Sequence, residues 1–251
     1  MSSARIALVP ALALAPAFSQ IPTQRVYDHN LHAWFVYAGD HTFAGPWGVH
    51  LEGQWRRHDA GLRPQQLLLR PAVNYQLSPA VAFSNGYAYV TTHRYGGYPV
   101  LAPFPEHRIY QQATVQQKAG RAEFQHRFRL EQRWIGQKLP PELPDLGIEP
   151  WRYQNRFRYM LRLVIPFEQK PWYFASQNEI FLNFAPTQRA RVFDQNRAYA
   201  AIGRLLGKDT RIEAGYLQQT LLQRNGRVLE FNHTIHIAVF SRLPFGSRTS
   251  P

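Results

Sequence analysis

Hydrophobic and cationic positions alternate from Arg152 to Phe167. Phe157, Tyr159, Leu161, Leu163 and Ile165 share one parity, and Arg156, Arg158 and Arg162 share the other. Successive side chains of a β-strand point to opposite faces, so this segment is a strand with one oily and one cationic face. Ala122 to Trp134 repeats the pattern, with Phe124, Phe128, Leu130 and Trp134 set against Arg127, Arg129, Glu131 and Arg133. Charged rows of this kind need a wet or mutually neutralised environment. A transmembrane barrel supplies one, with apolar residues turned to lipid and charges turned to a polar lumen.

The same alternation marks eleven segments: Leu31–Phe43, Trp47–Arg57, Gln65–Leu77, Ala80–Thr92, His107–Lys118, Ala122–Gly136, Arg152–Phe167, Trp172–Ala185, Gln195–Leu206, Thr210–Gln223 and Val228–Phe240. Most are longer than strands in soluble sheets and long enough to cross a bilayer at a tilt. Short turns such as Ala44-Gly45-Pro46, Ser78-Pro79 and Ala119-Gly120-Arg121 alternate with longer, proline-rich links at His93–Glu106 and Gln137–Pro150. Tight periplasmic turns and long external loops alternate in this way. With eleven strands, however, the first would begin outside. Bacterial barrels carry even strand numbers, so the expectation is twelve, with an extra strand inside Gln20–Asn30, or ten. Trp34, Trp47, Trp134, Trp151 and Trp172 fall near the expected strand ends, where an interfacial aromatic girdle belongs. The fold class is thus all-β: an antiparallel up-and-down transmembrane β-barrel, with a soluble periplasmic barrel as the alternative.

Composition narrows the picture. Ile6 to Phe18 is the only unbroken apolar run and is too short to span a bilayer as a helix. Its placement after Met-Ser-Ser-Ala-Arg and before Ala17-Phe18-Ser19 reads as a secretory signal over residues 1–19, leaving 20–251 as one barrel domain. A mean hydropathy of -0.40 excludes a bundle of membrane helices. The chain has no cysteine, which excludes disulfides and thiolate chemistry. Its formal charge is +13, from 29 basic and 16 acidic residues. The bases are scattered along strands rather than clustered, which argues against nucleic acid as a partner. The expected surroundings are outer-membrane lipid, lipopolysaccharide and the outer-membrane assembly machinery of a Gram-negative bacterium.

Several short motifs resemble those of a known group: Leu69-Arg70-Pro71, Glu106-His107-Arg108-Ile109-Tyr110-Gln111-Gln112, Arg127 to Arg133, Arg156-Phe157-Arg158-Tyr159, Asn178-Glu179, Asn196-Arg197 and Gly215-Tyr216. Together they resemble the domain of unknown function 2490 family of uncharacterised bacterial proteins. The resemblance spans Trp34 to Phe240. It implies an outer-membrane barrel and brings no catalytic residues to transfer.

The candidate chemistry lies on the charged rows. Hairpin geometry pairs Glu131 with Arg156 and Arg129 with Arg158. It also sets Glu131 opposite Arg108 across the Gly120 turn, and Glu179 level with Met160, diagonal to Arg158 and Arg162. Arg70, Arg127, Arg133 and Arg197 complete the expected lumen set. Two readings stay open for it: a counter-ion network that fixes the interior, or a cationic surplus for a small anionic solute. No cofactor, metal or catalytic set is expected. His29-x-x-His32 and His233-x-x-His236 would put their histidines on opposite faces of a strand. His126, His233 and Ser176 fall on outward rows, which leaves an outer-membrane lipid-modifying enzyme as the remaining alternative.

Overall fold

The computed structural model describes residues 24–137, 149–168, 171–184 and 192–245; the expected signal at 1–19 and most of the 137–150 link lie outside them. The strands are β1 (Val26–Ala44), β2 (Trp47–His58), β3 (Arg63–Ser78), β4 (Val81–Thr92), β5 (Phe104–Ala119) and β6 (Ala122–Gln137). They continue as β7 (Glu149–Pro166), β8 (Trp172–Phe184), β9 (Phe193–Leu205), β10 (Thr210–Leu222) and β11 (Val228–Ser241). Each pairs with its neighbours in sequence, and the sheet closes into a barrel. No described helix is long and apolar enough to cross a membrane.

The closed barrel therefore has eleven strands, and the expectation of twelve, or ten, is corrected. Val26 to Asn30 do not form a separate strand; they are the first turn-free stretch of β1. With an odd number, β1 and β11 run the same way, and they pair in parallel from Val26↔Val228 to Gly39↔Ser241. Every other neighbouring pair is antiparallel. Beyond β11 the chain folds back on this seam. The Phe245 amide donates to the Thr42 carbonyl at 2.9 Å, and the Phe245 ring stacks on His41 with centroids 4.3 Å apart.

Polarity is inverted relative to a water-soluble domain. Glu131, Glu179, Glu213 and eight arginines are buried inside, whereas Trp55, Leu69, Val73 and Ile235 are each about half exposed on the outside. Eleven strands spaced about 4.8 Å apart and tilted about 40° enclose a backbone cylinder of roughly 11 Å radius. Arginines reaching inward from facing walls can meet near its axis, so the interior is filled by side chains.

Aromatic residues ring the outside in register. At the short-turn end Trp47 opposes Tyr75, which opposes Phe83. At the long-loop end Tyr89, His107, Trp134 and Tyr153 form one row across β4 to β7. Along β2, Trp47 and Trp55 are separated by about 26 Å of strand, or about 20 Å after tilt, near the ~25 Å apolar band of outer-membrane barrels. Trp34 is the exception among the expected girdle tryptophans. Because β1 begins at Val26, Trp34 lies in mid-strand rather than at an end; it shares parity with His32 and faces inward with 2 % exposure, and its indole N–H donates to Gln65 Oε1 at 2.9 Å. The last aromatic of β11, Phe240, also faces inward, under the guanidiniums of Arg162 and Arg211.

Candidate functional site

The interior is a chain of ion pairs laid across β2 to β10. Glu131, fully buried on β6, accepts from Arg156 Nε at 2.9 Å and Nη2 at 2.6 Å, and from Arg158 Nη1 at 2.6 Å. Arg129 Nη1 lies 3.9 Å away. Glu131 is in register with Arg156, and Arg129 with Arg158, as hairpin geometry requires. The expected pairing of Glu131 with Arg108 is corrected: Tyr110 opposes Glu131, and Arg108 opposes Arg133. The cause is the hairpin itself. Ala119 pairs with Ala122, leaving a two-residue Gly120-Arg121 turn with Gly120 at φ +58, and the register moves by two. A shift of two keeps every side chain on its face.

Arg108 instead joins Arg133 on Glu106, at 2.7 Å from Nε and 3.1 Å from Arg133 Nη2. Glu179 is level with Met160 and takes Arg158 and Arg127, each at 2.7 Å. Arg162, expected near Glu179, bonds Glu213 on β10 instead. Glu213 also accepts from Tyr173 at 2.9 Å and Tyr199 at 3.0 Å. Tyr173 fits because residue 203 on the neighbouring strand is glycine; a Cβ there would overlap the phenol ring. Arg70 pairs with Glu52 at 2.7 Å, and Arg156 has a second partner in Asp194 at 2.9 Å. Guanidiniums also lie on rings: Arg129 is 4.3 Å from the Tyr110 centroid, and Arg158 is 4.3 Å from that of Phe181.

All eleven residues expected in the lumen thus face inward, and most enter one network. Sequence reasoning missed Glu52, Glu106, Glu213, Asp194 and Arg56. Parity along each strand, applied outside β6 to β8, would have found them.

Two other features shape the interior. The 93–103 loop turns into the long-loop end, where the Tyr95 hydroxyl donates to Glu230 Oε2 at 3.0 Å and its ring meets His32 edge-on at 5.3 Å. Burial and the Glu230 carboxylate hold the Tyr95 phenol far above its ordinary pKa, so it remains a donor. At the short-turn end a small open cleft is bordered by Lys118, Gln125, Arg162, Arg211 and Arg242.

On the outside, His126 Nδ1 meets the Tyr159 hydroxyl at 2.9 Å. His233 meets Tyr216 at 2.6 Å and His29 at 3.5 Å, while His32 and His236 face inward. Ser176 lies between Leu163 and Ala200 in register, apart from both outward histidines.

The chain is similar to an uncharacterised protein of Methylorubrum extorquens, at 30% identity over 186 residues that cover 70% of this chain and 72% of that protein. No solved structure matches it. Residues 31–230 match a family described as protein of unknown function (DUF2490). With the match covering most of the barrel, the chain belongs to that family.

Proposed function

We propose that this protein is an outer-membrane β-barrel of a Gram-negative bacterium, exported by a cleaved signal. It binds a small anionic solute in a filled interior rather than catalysing a reaction. The observation that carries the reading is the inverted polarity. A largely apolar exterior, interrupted by polar pairs such as Gln111–Gln132 and Asn178–Asn196, exceeds the few hundred Å² of apolar patch usual in water and suits hydrocarbon. Two aromatic rows at opposite ends of the strands, about 20 Å apart along the axis, support the same reading. Lipid and lipopolysaccharide then cover the outer face, and the outer-membrane assembly machinery inserts it. An odd strand number is no physical obstacle, since a parallel seam closes 19-stranded mitochondrial barrels as well.

The anionic solute follows from charge. Eight arginines but only five glutamates are buried among the described residues. Side chains cross the interior, which favours binding over free passage. Expressing the full chain tests the location: it should fractionate with the outer membrane, need detergent for extraction, and run at a heat-dependent position on gels. A chain that stays in the aqueous fraction without detergent would refute the membrane reading. Large steady conductance with cation preference in planar bilayers would refute the anionic one.

A further inference from the structure

Most buried guanidiniums have a carboxylate within 4.0 Å; among the described residues Arg56 does not, and neither do the half-buried Arg152, Arg197 and Arg211, of which Arg197 shares an indole with Arg56. Arg56, 5 % exposed on β2, donates only to the amide oxygens of Gln54 and Gln66, at 2.8 and 2.6 Å. Arg197 on β9 reaches only Gln195, at 3.5 Å, because Glu179 beside it is already held by Arg158 and Arg127. Both cations reach one indole, although Arg197 is nearer the Phe181 ring, 4.8 Å from its centroid. Arg56 Cζ is 4.0 Å and Arg197 Cζ 5.1 Å from the Trp34 ring centroid, so they lie no farther apart than those two distances laid end to end. Arg197 shares Glu179 with two other arginines and Arg56 has no carboxylate within 4.0 Å, so the two cations are under-compensated in a place that has cost them much of their hydration.

An independent observation falls at the same place. Trp34 is in register with Arg56 on one side and His236 on the other, and His32 with Thr234 one step along. His32 and Thr234 are fully buried, yet both His32 ring nitrogens and Thr234 Oγ1 have no partner. His236 Nδ1 and Arg197 Nε are also unpartnered. Native interiors rarely leave buried polar atoms unsatisfied, and here several lie together. These groups are donors or can act as donors, and they surround two cations.

We propose that Arg56, Arg197 and Trp34, with His32 and His236 beside them, form a binding site for a small oxyanion of the phosphate, sulfate or carboxylate type. This rests on the reading of the interior as anion-binding and assigns its place. Two guanidiniums carried on strands from different parts of the barrel wall favour a ligand with several acceptor oxygens over chloride. Tyr95, against His32, covers the site from the long-loop side.

The test uses the full chain purified in detergent without chloride or phosphate, titrated calorimetrically with inorganic phosphate, sulfate and acetate. At least one should bind the wild type near 1:1. Arg56→Gln and Arg197→Gln should each weaken binding tenfold or more, Arg56→Lys less, and Arg211→Gln at the short-turn cleft not at all. In anion-free buffer Arg56→Gln should melt no lower than wild type, because it removes an uncompensated charge. Binding that survives both glutamine variants and disappears in Arg211→Gln would overturn the site while leaving an anion-binding barrel. No binding of any of the three by wild type would overturn site and solute together, whereas heat-dependent gel mobility would separately uphold the membrane barrel. If Arg56→Gln melts well below wild type, its guanidinium is structural and the assignment fails.

Discussion

Replacing Glu131 by alanine is the sharpest probe of the interior. The substitution removes three hydrogen bonds of 2.9 Å or less from Arg156 and Arg158 and leaves both guanidiniums in a site with essentially no solvent access. Breaking a buried ion pair from one side costs about 3–5 kcal/mol. Here each arginine keeps a second carboxylate, Arg156 on Asp194 at 2.9 Å and Arg158 on Glu179 at 2.7 Å, so the expected loss is at the lower end, about 3 kcal/mol. That is more than a hundredfold in the unfolding equilibrium. The comparison is Glu123→Ala. Glu123 pairs with Lys118 at 2.8 Å, but the two side chains are 49 % and 75 % exposed, and such a pair is worth about 0–1 kcal/mol. Urea unfolding in detergent micelles, followed by tryptophan fluorescence with the slope checked for constancy, measures both. Added salt should erase the Glu123 effect and leave that of Glu131. Glu131→Gln should fall between, since its amide oxygen still accepts from one guanidinium. Equal losses below about 1 kcal/mol for Glu131→Ala and Glu123→Ala would refute the network, because such values belong to solvated surface pairs.

Two further substitutions test the packing around the network. Gly203→Ala places a methyl inside the Tyr173 ring and should cost about 1–3 kcal/mol as the phenol leaves Glu213. Gly53→Ala, with open space at its Cβ, should be neutral or slightly stabilising in the same unfolding assay. Tyr95→Phe deletes the bond to Glu230, while Glu230 keeps Gln223 at 2.6 Å. A loss of about 1 kcal/mol should speed trypsin cleavage after Arg94 roughly fivefold. An unchanged cleavage rate would show that this bond does not hold the loop.

Alternation along single strands made much of this molecule legible without coordinates. The period of two in Arg152–Phe167 and Ala122–Trp134 fixes which residues share a face, and a symmetric hairpin predicts which meet across it, correctly at β6–β7 and β7–β8 but two residues off at β5–β6. Glu131–Arg156, Arg129–Arg158 and Met160–Glu179 are legible in this way, whereas Glu131–Arg108 is not, because turn length sets the register. What sequence does not carry is how a sheet closes. Strand parity, local to each segment, is blind to whether β1 meets β11 in parallel or needs a further strand. Trp34 reads as a girdle residue until the length of β1 sets its depth in mid-strand. Which carboxylate each arginine takes is likewise decided in three dimensions. Arg162 of β7 reaches Glu213 on β10, and Arg56 and Arg197 converge on one indole from far apart in sequence. Long side chains in a narrow cylinder choose partners across the axis, and that distance exists only once the barrel has closed.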